Sequence, residues 1–246
     1  MAVTDCSLTS QLAVAMPLSM ADVAMPKDRT GLIIVDEVNG FCTVGAGNLA
    51  PPVPNAQIAA MVDETVRLAR DFAAQDAPIF AFLDTHEPGK PEPPYPPHCE
   101  RGTGEEELVP ELAWLHDCPQ ATLWRKDCIN GFIGAIDNAA GRNALVDWAA
   151  THELTMLVVT GICTDICVMD FVLTSLSARN HGLLGKVEDI VVLEPACSTY
   201  SLDKAVAVDL GLPAEAAHPQ APTHYMGLYF MASRGAVLAR SVTWAG

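Results

Sequence analysis

Asp36, Lys126 and Cys167 each stand at or just past the end of a short apolar run, in GLIIVD, ATLWRK and the turn of VTGICTDICV. A carboxylate so placed can take a proton from a thiol and return it to a leaving amine. An ammonium beside it can pair with the acid and lower the thiol pKa. A cysteine in the first turn of a helix meets unpaired backbone N–H groups and a dipole that favour a thiolate and can hold an oxyanion. Together these groups amount to nucleophilic acyl-transfer chemistry. Singly each has a plainer reading: a small apolar cysteine under a helix, a capping or solvated acid, a surface lysine. What sets the three apart is their joint placement at the carboxyl ends of three strands.

A second constellation is Asp84-Thr-His86, followed by Glu92 and His98. Side chains two apart at a strand end share a face, so Asp84 and His86 project together, and His98 returns from a proline-rich loop. One carboxylate and two imidazoles leave coordination positions open, a set that zinc, iron and manganese all tolerate. Spacing alone leaves unlinked polar loop residues as the alternative. The sequence has no Gly-x-Ser-x-Gly elbow and no dinucleotide fingerprint. Its GAGN (45–48) lacks the further glycine and helix of a phosphate cradle.

The elements that must position these groups follow from apolar patterning. Gly31–Asp36, Pro78–Asp84, Ala121–Trp124, Thr155–Thr160, Asp189–Leu193 and Ala236–Val242 are β-rich runs, and they predict six strands. Ala56–Ala74, Ala144–Ala150 and Asp165–Arg179 have helical spacing. Near-continuous apolar strands alternating with helices predict one α/β domain, a doubly wound, mostly parallel six-stranded sheet with helices on both faces. Ligands of such sheets sit beyond the carboxyl ends of the strands. Residues 85–120 break the alternation, and five prolines fall within 91–97; a long loop without secondary structure is expected there, and such loops are usually functional.

Composition narrows the partners. The chain has 246 residues, half of them hydrophobic, enough for a large core. Its formal net charge of −16 repels phosphate backbones and anionic membranes, which argues against nucleic acid. No apolar run reaches the roughly 18 residues of a membrane span. The first 20 residues lack the basic start of a secretory signal. Eight cysteines are too few for a disulfide scaffold, so they are expected free in a reducing, cytoplasmic setting. Residues 1–25 are expected to be an N-terminal extension, and 26–246 the domain.

VDEVNGFC, DTHEPGKPEPPYPPHCERGTGEEELVPEL, RKDCINGF, GICTDICV and SARNHG occur in the order found in one family. Over roughly residues 30–245 the chain resembles the cysteine hydrolases of the isochorismatase-like fold, and within them the nicotinamidases. FCTVGAGNLAP and HPQAPTHYMGLYF look most like the plant-type members. The resemblance implies a catalytic triad of Asp36, Lys126 and Cys167. It implies a cis peptide at Ile162–Cys163 and an oxyanion hole from the backbone N–H groups of Cys163 and Cys167. It implies one divalent metal, with zinc first and iron or manganese as alternatives, on Asp84, His86 and His98. It also implies Glu92 as a fourth ligand. Phe41 and Tyr95 would sandwich a pyridine ring whose nitrogen meets the metal, and Asp165 would lie close by. The implied reaction is hydrolysis of nicotinamide to nicotinate and ammonia, in NAD salvage, by a protein that can form homo-oligomers. Three rivals stand beside it. One is a related amidohydrolase acting on pyrazinamide-like or carbamoyl amides; the others are a non-catalytic metal-binding protein and a redox sensor using Cys163 and Cys167.

Overall fold

The computed structural model describes residues 5–90, 92–93 and 95–246, with side chains from residue 8 onward. The first four residues of the expected extension, and Pro91 and Pro94 of the proline-rich loop, lie outside the described residues. In chain order the elements are α1 (Asp5–Ala15), β1 (Ala21–Met25), β2 (Thr30–Val35), a single turn α2 (Asn39–Cys42), α3 (Ala56–Ala74), β3 (Ile79–Asp84) and β4 (Ala121–Lys126). Then come a short turn α4 (Gly131–Gly134), a hairpin of β5 (Ile136–Asp137) and β6 (Arg142–Asn143), α5 (Ala144–Thr151), β7 (Met156–Ile162) and α6 (Cys167–Asn180). The chain closes with β8 (Asp189–Ser198), α7 (Lys204–Asp209), α8 (Gln220–Ala232) and β9 (Val237–Trp244).

The main sheet has seven strands in the order β1-β9-β8-β7-β2-β3-β4, every pair parallel. Six are the strands predicted from apolar runs. The seventh, β1, was not foreseen because it is an edge strand exposed along most of its length; only Met25 is buried, so ADVAM carries no buried-strand signature. Residues 1–25 are therefore, over their described part, a helix beside α8 and a strand paired with β9. Tyr225 also donates a hydrogen bond to the Met16 carbonyl at 2.8 Å. The 85–120 segment, expected to be without secondary structure, contains a 3-10 helix at Pro110–Asp117, whose Leu112 and Leu115 are buried.

Strand periodicity divides the interior into two cores. Leu32 and Ile34 of β2 face α3 and the 3-10 helix, while Ile33 and Val35 face α5, α6 and α8. Helix α3 shows why its sequence is helical. Asn55 caps it by accepting from the Gln57 and Ile58 amides, and Ile58, Met61, Val62, Thr65, Leu68, Ala69 and Phe72 are its buried face.

The strand order reverses at one place. From β2 the chain winds outward through β3 and β4, then returns to lay β7 on the other side of β2 and winds outward again. The crevice between the carboxyl ends of β2 and β7 is the switch point at which such sheets bind ligands. Asp36 leaves β2 there, and the VTGICTDICV turn leaves β7. Gly161 lets the two strands close up: its φ is +127°, and a Cβ on it would lie 2.1 Å from the Val35 carbonyl oxygen. Gly161→Ala is accordingly expected to destabilise the fold by about 3 kcal/mol or more, read as a lower urea midpoint. A shift within ordinary surface-mutation scatter would show that the strands can spread at this point.

Candidate active site

Three strand ends deliver three charged side chains to one buried point. Lys126, the last residue of β4, pairs in register with Asp84, the last residue of β3. Its Nζ lies 2.8 Å from Asp36 Oδ2 and donates to Asp84 Oδ1 at 2.8 Å and to the Cys128 carbonyl at 2.9 Å. Lys126 is 2% exposed and Asp36 fully buried. The contact with Asp36 is an ion pair outside good hydrogen-bond alignment, so neither Asp36 oxygen has a well-aligned donor. Asp36 holds a left-handed backbone conformation, φ +55°, as the chain turns off β2.

Sharing one ammonium between two carboxylates splits their acidities. Burial pushes Asp36 up to about 7 against the pull of Lys126, with Asp84 adding to the rise. Burial also works upward on Asp84, but Lys126, His86 and His98 hold it well below the usual carboxylate range. Burial alone would strip Lys126 of its proton; Asp36 and Asp84 keep it charged, its proton affinity well above normal.

Cys167 is the first residue of α6. No side chain caps this helix, and among the described residues the amides of Cys163 and Cys167 donate to no backbone carbonyl. The Cys163 carbonyl instead takes the Ile166 and Val168 amides, which folds the turn back on itself. The Ile162–Cys163 peptide is cis. The Cys163 thiol is occupied by Thr199 and the Tyr200 backbone. One expectation is corrected here: the Cys167 thiol is pushed well above its ordinary pKa, not below it. Burial is the largest influence; Lys126 lowers the value, but Asp36 and Asp84 oppose it. The resting sulfur is a thiol within hydrogen-bond reach of Asp36. All seven described cysteines are free, Cys163 and Cys167 among them.

The second constellation also assembles. His86 Nε2 lies 3.0 Å and His98 Nε2 3.2 Å from Asp84 Oδ2, and both lie 3.6 Å from Glu92 Oε2. His98 Nδ1 donates to the Pro96 carbonyl at 2.7 Å, which turns Nε2 toward the cluster as the free ligand atom. The ligand atoms of Asp84, His86 and His98 all lie within 4.8 Å of one another. Burial works against a charge on His98, yet Asp84 and Glu92 raise it to about 10. The cluster draws positive charge to its centre, and its nitrogen and oxygen donors fit a zinc-, iron- or manganese-type cation. Arg125, the neighbour of Lys126 on β4, points the other way. It donates to Thr85 Oγ1, the Glu106 carbonyl and Glu107 Oε1, pinning the loop that brings His98 back.

Members of both constellations line one cavity of about 500 Å³, while Asp36, Lys126 and His86 are buried off its wall. Asp84, Glu92 and His98 lie on its wall with Cys163 and Cys167, and Phe41 and Tyr95 flank His98 with ring centroids 5.6 and 6.1 Å away. Asp165 lies behind the nucleophile turn and accepts from Thr199 Oγ1 at 2.6 Å. The sequence reading missed Tyr200 and His218, which form another side of the cavity with rings stacked at 3.8 Å. His218 opens the HPQAPTHYMGLYF segment, but only the fold carries it back to the carboxyl ends of the strands.

The isochorismatase domain model matches residues 30–210, so the chain belongs to the isochorismatase domain family. It is 52% identical over 214 residues to Nicotinamidase 1 of Arabidopsis thaliana, covering 87% of this chain and 86% of that protein. A nicotinamidase of Escherichia coli K12 is 28% identical over 165 residues, 59% of this chain and 75% of that one. Among solved structures, a Bacillus subtilis nicotinamidase superposes with TM-score 0.64 at 23% identity, covering 86% of this chain and all of that one. The N-carbamoylsarcosine amidase of Thermoplasma acidophilum does so with TM-score 0.61 at 22%, covering 89% and 99%. At these identities the superpositions speak for the fold.

Removing the shared ammonium tests the electrostatics directly. Lys126→Met leaves two buried carboxylates without their cation and is expected to cost about 3–5 kcal/mol of stability at neutral pH, measured by urea unfolding. An unchanged midpoint would mean that Asp36 and Asp84 do not depend on it.

Proposed function

We propose that this protein hydrolyses nicotinamide to nicotinate and ammonia through a thioester on Cys167, in NAD salvage. The observation that carries the reading is one cavity whose wall holds both Cys167, near the buried Asp36–Lys126 pair, and Asp84 and His98 of the Asp84–His86–His98 cluster. The 52% identity to a nicotinamidase over most of both chains supports the same substrate.

Asp36 removes the proton from the Cys167 thiol, and the sulfur attacks the carboxamide carbon. The carbonyl π electrons move to oxygen, and the N–H groups of Cys163 and Cys167 receive the oxyanion. Collapse breaks the C–N bond as Asp36 gives its proton to the departing nitrogen, which leaves as ammonia. Asp36 then deprotonates a water that attacks the thioester. The C–S bond breaks and the proton returns to sulfur. Lys126 stays charged throughout and steadies Asp36 whenever it is ionised. Phe41 and Tyr95 offer flat faces to the pyridine ring. Asp84, His86 and His98 would hold the divalent ion, with Glu92 beside them; when bound, it supplies a Lewis-acidic point for the ring nitrogen and so fixes the ring's orientation. The sulfur is the nucleophile in this scheme.

Zinc is the first assignment for the ion, and pyrazinamide, with a ring nitrogen and carboxamide in like positions, an expected side substrate. The free described cysteines support a reducing, cytoplasmic setting, and no helix of the described chain is long and apolar enough to cross a membrane. The reading treats 26–246 as one hydrolase domain with an N-terminal arm, able to form homo-oligomers.

Ammonia release from nicotinamide, with and without chelator, tests the reading. Cys167→Ala should lower kcat by roughly 10⁴-fold or more while still binding nicotinamide; substantial residual turnover would reject the covalent route. The raised pKa of Asp36 sets the pH profile. Below about 7 the carboxyl is protonated and cannot act as base. The value of kcat/KM should therefore rise about tenfold per pH unit up to that region and level above it. A profile flat from pH 5 to 8 would remove Asp36 as the base. His98→Ala should weaken metal retention by roughly tenfold or more, with KM rising in parallel; full metal content in that variant would take His98 off the ligand set.

A further inference from the structure

Between β8 and α8 the chain makes an excursion over residues 203–217 that is closed at its base. Leu202 and His218 exchange backbone hydrogen bonds at 2.9 and 2.7 Å, an isolated antiparallel bridge. The excursion carries α7, in which only Ala207 is buried, and leaves Val208 and Leu210 52% and 67% exposed. Its return limb lends Leu212, Pro213, Glu215 and Ala216 to the wall of the active-site cavity. A segment with so little buried surface of its own depends on its neck for its position.

The neck is His218. Its Nδ1 lies 2.9 Å from the Tyr200 carbonyl oxygen and 3.4 Å from Thr223 Oγ1, and its Nε2 lies 2.8 Å from Asp165 Oδ2. Both ring nitrogens are thus held by partners within hydrogen-bond distance. The ring also stacks on Tyr200, 3.8 Å between centroids and 15° between planes. Asp165 lies two residues before Cys167, and its backbone is wedged against α8, where a Cβ on Gly227 would lie 2.8 Å from the Asp165 Cα. His218 thus ties a loosely packed wall to a rigid part of the nucleophile turn and, through Tyr200, to the side of the cavity next to Cys163.

We propose that His218 is a positioning residue that latches the 203–217 excursion to the nucleophile turn and thereby sets the size of ring the cavity accepts. The proposal rests on the amidase reading above. A one-ring amide fills only part of a cavity of about 500 Å³. The residues the excursion lends to the wall, Leu212, Pro213, Glu215 and Ala216, belong neither to the triad nor to the Asp84–His86–His98 cluster, so releasing it loosens the fit and leaves both sets in place.

The chain provides its own reporter. Lys204 is the only lysine or arginine between 187 and 233 and is exposed, so trypsin cleavage after it reads opening of the excursion without reference to activity. In the full-length protein, His218→Ala should speed that cleavage roughly tenfold, the scale of one lost hydrogen bond to a charged group. It should raise KM for nicotinamide by about as much, leave kcat within about threefold, and improve hydrolysis of 5-phenylnicotinamide relative to nicotinamide. Asp165→Asn breaks the latch from its fixed end, without altering the excursion, and should speed cleavage in the same way; it carries the test if His218→Ala does not fold. Cleavage at the wild-type rate in a folded variant overturns the latch. Faster cleavage with unchanged KM and ring-size preference overturns its role in selection. If the wild-type protein does not hydrolyse nicotinamide, the amidase reading falls and the size claim with it, while the trypsin rates still judge the latch.

Discussion

One buried ammonium organises this molecule. Lys126 sits between Asp36 and Asp84 at 2.8 Å from each, and so fastens together the carboxyl ends of β2, β3 and β4. Two acids this close could not both ionise in a dry interior without it. Its charge is divided unequally, because Asp84 also has two imidazoles and Asp36 has no well-aligned donor. The result is a strongly ionised carboxylate suited to a cation and a carboxylate poised near neutrality suited to moving a proton. One lysine therefore separates the two functions of the site and holds them a few ångströms apart.

The nucleophile follows the same logic. A cysteine at an uncapped helix start, next to a lysine, would by simple rules be a standing thiolate. Burial outweighs those influences, and the sulfur keeps its proton until a carbonyl arrives. In the proposed reaction attack and proton transfer are coupled through Asp36, so there the acidity of that carboxyl matters more than that of the thiol. The sheet topology makes the coupling possible, because the strand order reverses between β2 and β7 and opens a crevice where Asp36 and the nucleophile turn face each other.

The wall completed by residues 203–217 differs in kind. Asp36, Lys126, Cys167 and the histidine cluster stand at strand ends, at the start of α6 and on a tightly braced loop. This wall is an exposed excursion closed by a two-residue bridge and one histidine. Rigid placement suits atoms that exchange protons and form bonds, whereas a lightly held wall suits the entry and fit of a ligand.

Local signals carried much of this in the linear chain. Six strands announced themselves because a sheet covered on both faces needs continuous apolar runs, and Asp36, Asp84 and Lys126 could be singled out because they interrupt those runs at one end. β1 was silent because an exposed edge strand needs no such run. The 3-10 helix at Pro110–Asp117 was hidden by the prolines and acids that precede it. What residue order could not supply was relative position. The upward thiol pKa shift depends on burial summed over several elements. The sharing of Lys126 depends on the β3–β4 register. The stack of Tyr200 on His218 joins the end of β8 to a residue eighteen positions later, and nothing in the intervening sequence requires the chain to double back. Residue types and periodicity determined which chemistry was available and which strands would carry it. Only the packed fold decided which acid is pushed up toward neutrality, which is held ionised beside two imidazoles, and what closed the cavity, because those outcomes depend on distance and dielectric, which exist only between elements.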